Sequence, residues 1–147
     1  MIRVIEGDTL EVLPTLESQS AHCCVTSPPY WGLRDYGVDG QLGLEATPDE
    51  YVERMAEVFG QVWRVLRDDG TLWLNIGDSY ASDTKGSGGP SAKQDRNAGS
   101  RYQTQRLSHG LKQKDLMGIP WRVAFALQAA GWYLRSDIIW AKGLSFC

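Results

Sequence analysis

Ser27, Pro28, Pro29 and Tyr30 are the residues whose types and spacing most readily suggest chemistry, in the stretch 26-TSPPYWGL-33. Proline fixes φ at about −65° and has no N–H, so two in succession cannot continue a central strand and make the chain leave it in one stiff conformation. The Pro28 carbonyl has no neighbouring proline N–H to pair with, and it can point to one side of the turn together with the Ser27 hydroxyl. Two acceptors side by side match the two hydrogens of an exocyclic amino group, and Tyr30 can stack on the ring that carries it. A turn of this kind suits a nucleobase turned out of its helix.

Other chemistries find less support. A nucleophilic Ser27 needs an acid–base partner, yet the histidines are His22, inside the preceding apolar run, and His109, in a polar segment, and no G-x-S-x-G elbow is present. No His, Cys or Asp cluster has metal-ligand spacing. The run 86-GSGG-89 lacks the flanking strand and helix of a dinucleotide fingerprint, and no phosphate-cradling G-x-x-x-x-G-K-[ST] occurs. Cys23, Cys24 and Cys147 make neither a metal site nor a disulfide framework. They are expected to be reduced, with Cys23 and Cys24 filling a buried strand.

The elements that must position the turn follow from periodicity and caps. Residues 2-IRVIE-6 read as a strand, and 8-DTLEVLPTL-16 starts as a helix with Asp8 at the N-cap and Glu11 three residues on, which Pro14 should end early. The next strand is 21-AHCCVT-26. The best-marked helix follows: Thr47 caps, Pro48 takes the first position, Glu50 completes a capping box, and Val52, Met55, Phe59, Val62 and Leu66 form one face until Asp69-Gly70 stops it. Then 71-TLWLNIG-77 is a strand, 119-IPWRVAFALQAA-130 a helix closed by Gly131, and 132-WYLRSDIIWA-141 a last strand. This alternation predicts an α/β layer fold with a largely parallel sheet. Gly7-Asp8, Ser27 to Tyr30 and Gly77-Asp78-Ser79 each lie just past a predicted strand end, where such sheets bind ligands.

The 147 residues are 42% apolar with six Trp, enough for a real core in one domain or part of one. No long apolar run or signal-peptide layout occurs, so neither membrane insertion nor secretion is indicated and a cytosolic location is expected. The net charge of −3 is unevenly spread. Residues 82–114 hold seven Lys and Arg against two Asp, a balance of 7 − 2 = +5, so the rest sums to −8. This Gly-, Ser- and Gln-rich segment is expected to be a long mobile loop whose basic charge favours an anionic partner.

The segment 26-TSPPYWGLRDYG-37 resembles the catalytic motif of the DNA amino-methyltransferases, [Ser/Asp/Asn]-Pro-Pro-[Tyr/Phe/Trp], whose members methylate cytosine N4 or adenine N6 using S-adenosylmethionine. The resemblance spans nearly the whole chain: 4-VIEGDTLEVLPTL-16, 70-GTLWLNIGDSYA-81 and 112-KQKDLMGIPWRVAFALQAAGWYLRSDIIWAK-142 follow the family's segments in the order that places the catalytic motif first. It implies that Ser27 and the Pro28 carbonyl accept from the target amino group, that Pro29 fixes the turn, and that Tyr30 stacks on the base. Transfer would need no covalent enzyme intermediate, so positioning and electrostatics would supply most of the catalysis. Asp8 and Thr26 would contact the cofactor, Asp8 at the family position facing its adenine amino group, although the N-cap role explains Asp8 equally well. Trp31, Asn75 and Asp78 are possible pocket residues, and Trp121 a weaker base contact. Lys93, Arg96, Arg101 and Arg106 in the basic segment would bind DNA phosphates without reading sequence. Carbon-5 methylation would need a Pro-Cys nucleophile, and neither Cys23 nor Cys24 follows a proline. Serine in the motif tilts the target toward cytosine N4.

The family's glycine-rich cofactor motif, Phe-x-Gly-x-Gly, is absent from the 147 residues. A truncated or split enzyme, inactive alone, is therefore expected, with an incomplete Rossmann-like S-adenosylmethionine-dependent methyltransferase fold carrying roughly strands 3 to 6. In the family order 3-2-1-4-5-7-6 only strands 4 and 5, here 21–26 and 71–77, would be neighbours. The others would lack partners, which predicts poor solubility or a partner chain supplying the missing half. Alternatives are a non-catalytic DNA- or partner-binding remnant, and an amino-methyltransferase acting on protein glutamine or RNA.

Overall fold

The computed structural model describes residues 2–81, 112 and 114–141. Its elements are helix α1 (Thr9–Val12), a 3-10 turn (Leu13–Thr15), strand β1 (Ala21–Thr26), helix α2 (Pro48–Val65), strand β2 (Leu66–Leu74) and helix α3 (Ile119–Ala129). The predicted mobile basic segment lies outside the described residues, apart from Lys112 and Lys114 at its end.

Each local signal has a local consequence. Asp8 caps α1 by accepting from Leu10 N at 2.8 Å, and the helix tightens into the 3-10 turn where Pro14 enters. Thr47 Oγ1 accepts from Glu50 N at 3.1 Å, and Glu50 Oε2 reaches past the N-cap to accept from Ala46 N at 3.1 Å. On α2, Tyr51, Met55, Val58, Phe59, Val62 and Val65 are buried. Together with Ile119, Val123 and Leu127 of α3 they form the core, joined by Trp31, Leu66, Ala81 and Met117. Spacings of three and four on α2 and of four on α3 put these side chains on facing stripes.

Strands β1 and β2 form a two-stranded parallel sheet, with Cys23 opposite Thr71, Cys24 opposite Leu72, Val25 opposite Trp73 and Thr26 opposite Leu74. The two central segments of the sequence reading are thus the two that pair. Strand β2 begins at Leu66 immediately after α2, earlier than the 71–77 expected. The register jumps between Ala21–Leu66 and Cys23–Thr71, and the intervening turn is tight enough that a Cβ on Gly70 would lie 2.9 Å from the Arg67 carbonyl oxygen.

Two expected strands do not form. Residues 2–6 and 132–141 carry no strand pairing, and Val4 and Ile139 are 88% and 82% exposed. A strand exists only by hydrogen-bonding to a neighbour, and none of the described residues pairs with these segments. The helices cover one face of the sheet, that of Cys24, Leu72 and Leu74. The other face is open, with Val25 78% and Trp73 52% exposed. Cys23 is accordingly exposed and Cys24 half-buried, rather than both filling a buried strand as expected. Burial raises the pKa of the Cys24 thiol, with Cys23 adding to the effect.

Candidate functional site

The turn 27–30 leaves the C-terminal end of β1 and is fixed from three sides. From α2, the Tyr51 hydroxyl donates to the Pro29 carbonyl at 3.0 Å. Tyr51 is fully buried, and desolvation first, then the nearby Glu45 and Tyr30, pushes its pKa far above the ordinary tyrosine value, so it remains a proton donor. From the loop before α2, Gly43 presses on the turn: its carbonyl accepts from Gly32 N at 2.7 Å, and a Cβ there would lie 3.0 Å from the Tyr30 carbonyl oxygen and 3.2 Å from Pro29 Cβ. Its φ of +93° adds a second reason for glycine at this position. Glu45 completes this side. One carboxylate oxygen accepts from Gly43 N at 2.9 Å and its carbonyl accepts from Trp31 Nε1 at 3.0 Å. Partial burial raises the Glu45 pKa, against main-chain N–H groups and Arg54 that lower it.

The third side is the end of β2. A Cβ on Gly77 would lie 2.7 Å from Tyr30 Cε2 and 2.8 Å from Cδ2, so the Tyr30 ring rests on the bare Gly77 backbone. Ser27 Oγ donates to Tyr30 Oη at 3.3 Å, a long contact that ties the hydroxyl to the ring edge. The Pro28 carbonyl, by contrast, has no hydrogen-bond donor among the described residues. Ser27, Pro28, Pro29 and Tyr30, together with Leu33, Arg34 and Tyr36, then line an open recess of about 230 Å³. A hydroxyl, two prolines and an aromatic ring thus line the recess, a lining of a kind that suits a flat, amino-bearing ligand.

Asp78, expected at the pocket, has another task. Its Oδ1 accepts from Ser79 N at 2.8 Å and Ile119 N at 3.0 Å, and its Oδ2 from Gly118 N at 3.0 Å. The N-cap residue of α3 is Gly118, with φ of 70° and no side chain to cap, so the carboxylate of Asp78 caps that helix from forty residues away in sequence. This anchors the turn in which Gly77 sits. Just beyond, Ala81 N donates to Asp115 O and Lys114 N to Ala81 O, both at 2.7 Å, so the two ends of the basic segment are tied together beside the site.

The structure brings together Ser27, Pro28, Pro29, Tyr30 and the Gly77-Asp78 turn, but not every residue named from the sequence. Trp31 points the other way: it is 4% exposed, in the core, and does not line the recess. Asn75 is exposed, and its N–H extends the ladder past β2 by donating to Thr26 O at 2.9 Å. Thr26 is half-buried at the end of β1, directly before the turn. Asp8 hydrogen-bonds within its own helix start and to neither of the other two strand-end clusters. Trp121 is exposed on α3 with its ring 6.1 Å from that of Phe125, and is not part of the recess. Lys93, Arg96, Arg101 and Arg106 fall outside the described residues. Sequence reasoning misses Tyr51 and Gly43, and it places Gly77 at a strand end near the site without showing that Tyr30 rests on it. Tyr51 had a signal, lying four residues before Met55 on the core face of α2, whereas the glycines reveal their task only through what they touch.

Comparison with known proteins addresses the family directly. The DNA methylase family model matches residues 21–146. Three Type II methyltransferases are similar over 95% of the chain: M.XycI of Xanthomonas campestris pv. cyanopsidis, 56% identical over 139 residues, M.Cfr9I of Citrobacter freundii, 55% over 139, and M.SmaI of Serratia marcescens, 53% over 144. The match covers 46%, 46% and 47% of those proteins, so the chain spans about half the length of these curated relatives. No solved structure matches. A family match over residues 21–146, with the double-proline turn at the end of β1 inside it, means that this chain belongs to the DNA methylase family.

Proposed function

We propose that this chain is the base-holding part of a DNA amino-methyltransferase that uses S-adenosylmethionine, with cytosine N4 preferred over adenine N6. The observation that carries the reading is the lining of the recess: Ser27 and Pro28, whose carbonyl has no donor among the described residues, beside a Tyr30 ring seated on Gly77. A flipped base would lie against Tyr30 with its amino group directed at the two oxygens. Accepting both N–H hydrogens orients the nitrogen lone pair away from the turn, and the same oxygens stabilise positive charge as it develops on that nitrogen. Because Tyr51 and Gly43 hold the turn before any ligand arrives, little reorganisation remains to be done at the moment of reaction.

S-adenosylmethionine would supply the electrophilic methyl group. The residues assigned to it fit in chemical type: Asp8 is exposed and spends Oδ1 on Leu10 N, which leaves Oδ2 to accept from an adenine amino group, and Thr26 stands between the sheet and the turn. Lys93, Arg96, Arg101 and Arg106 are assigned to DNA phosphates, in a segment whose ends are rooted next to Asp78. The flipped target base in double-stranded DNA, and the remaining half of a protein of the relatives' length, are the partners this reading requires.

The test is transfer of labelled methyl from S-adenosylmethionine by the protein expressed in full from its gene, offered duplex DNA, RNA and protein in parallel. Label is expected in the DNA only. Label in RNA or protein would reassign the substrate, and label in none would leave a binding protein.

A further inference from the structure

The recess is completed by residues of a loop, 33–42, that several hydrogen bonds hold in shape. Gly32 N donates to Gly43 O at 2.7 Å and closes its neck. Inside, Gln41 spans the loop: its Oε1 accepts from Tyr36 N at 2.6 Å while its Nε2 donates to Arg34 O at 2.9 Å. Asp35 Oδ1 accepts from Gly37 N at 2.7 Å, and Gly37 and Gly40 take φ of 72° and 74° at the turns. Gln41 thus fixes the main chain at the two residues, Arg34 and Tyr36, that line the recess.

The charges on this loop are not equivalent. Among the described residues Arg34 is the one charged side chain lining the recess, whereas Asp35 is turned to the Gly37 amide and Asp39 does not line it. The Arg34 guanidinium makes no hydrogen bond or ion pair with the described residues, so its donors are available. Tyr36 stands beside it, largely exposed. A guanidinium fork matches phosphate oxygens, and an exposed aromatic ring beside it suits a sugar or base edge.

We propose that Arg34 and Tyr36, positioned by Gln41, form a nucleotide-backbone subsite in which Arg34 binds a phosphate flanking the base held by Ser27 to Tyr30. This rests on the nucleic-acid reading of that turn and adds to it: the recess would hold the base on one side and its sugar–phosphate on the other. It also gives the chain a backbone contact independent of the basic segment.

The experiment is fluorescence anisotropy of labelled mixed-sequence duplex DNA, over a range of salt, with the protein expressed in full from its gene. Arg34→Gln is expected to bind about tenfold more weakly, and the magnitude of its log–log salt slope to fall by about 0.9, the signature of one lost phosphate contact. Arg34→Lys should keep the wild-type slope and regain most of the affinity. Gln41→Ala should reproduce the Arg34→Gln loss, because the cation is then no longer held at the recess. An unchanged affinity and slope in Arg34→Gln would overturn the subsite, as would a failure of lysine to rescue. If the wild type methylates DNA and Arg34→Gln binds as it does, only the subsite falls. If the wild type neither binds nor methylates DNA, the reading of the turn falls with it.

Discussion

Gly77 is the residue on which the orientation of Tyr30 depends most, since the ring occupies the space that any Cβ would need. Gly77→Ala is expected to displace the ring, loosen its contact with Ser27 and lower methyl transfer, with an overpacking cost of about 1–3 kcal/mol to folding. In a Tyr30→Ala background the added methyl has nothing to strike, so the second substitution should cost little more. The cycle, read in both melting temperature and initial rate of transfer, shows whether Gly77 acts through Tyr30. Additive losses would separate them. At this scale the sequence was partly legible. Ser27, Pro28 and Tyr30 announce themselves by stiffness and chemistry, but nothing local distinguishes Trp31, which the chain turns into the core, from Tyr30, which it turns to the recess.

Among the elements, those defined by their own sequence appear where the sequence puts them. The caps at Thr47 and Asp8 and the proline that tightens the first helix each act within four residues, so local chemistry suffices. The start of α3 is different. Its cap is the Asp78 carboxylate, brought from the end of β2, and no window of sequence around Gly118 contains it. Asp78→Ala leaves three amides without their acceptor and is expected to destabilise the fold by about 1–2 kcal/mol in urea unfolding, with Asp78→Asn intermediate. No change on either substitution would remove that cap from the account. The loop before α2 carries a pH dependence. Glu45 has a raised pKa when folded, so the folded chain holds this proton more tightly than the unfolded chain, and stability contributed at low pH is lost as pH rises from its ordinary value of 4.5 through the raised one. Urea midpoints should fall across that window, and Glu45→Gln should flatten the fall. A rise with pH that depends on Glu45 would contradict the assignment.

For the whole molecule the informative feature is how much apolar surface remains uncovered. One sheet face is open at Val25 and Trp73, and the apolar residues of 2–6 and 132–141 lie without a strand neighbour. The sequence reading places 21–26 beside the strand that follows α2, and these two segments do pair in parallel. It still wrote 2–6 and 132–141 as strands, since their composition is that of strands and only the neighbour is missing. Exposed apolar patches and unpaired extended segments favour association. The 147-residue chain on its own is therefore expected to self-associate and to bind a hydrophobic dye, and sedimentation as a monodisperse monomer with a cooperative melt would contradict this. Helix α2, the loop before it and the end of β2 all bear on one turn, Ser27 to Tyr30. Mass spectrometry of nucleosides from DNA modified by the protein expressed in full from its gene tests it most directly: N4-methylcytosine is predicted with wild type and a loss on the order of a hundredfold with Ser27→Ala, whereas no methylated amino base with wild type, or an undiminished yield with Ser27→Ala, would contradict the account.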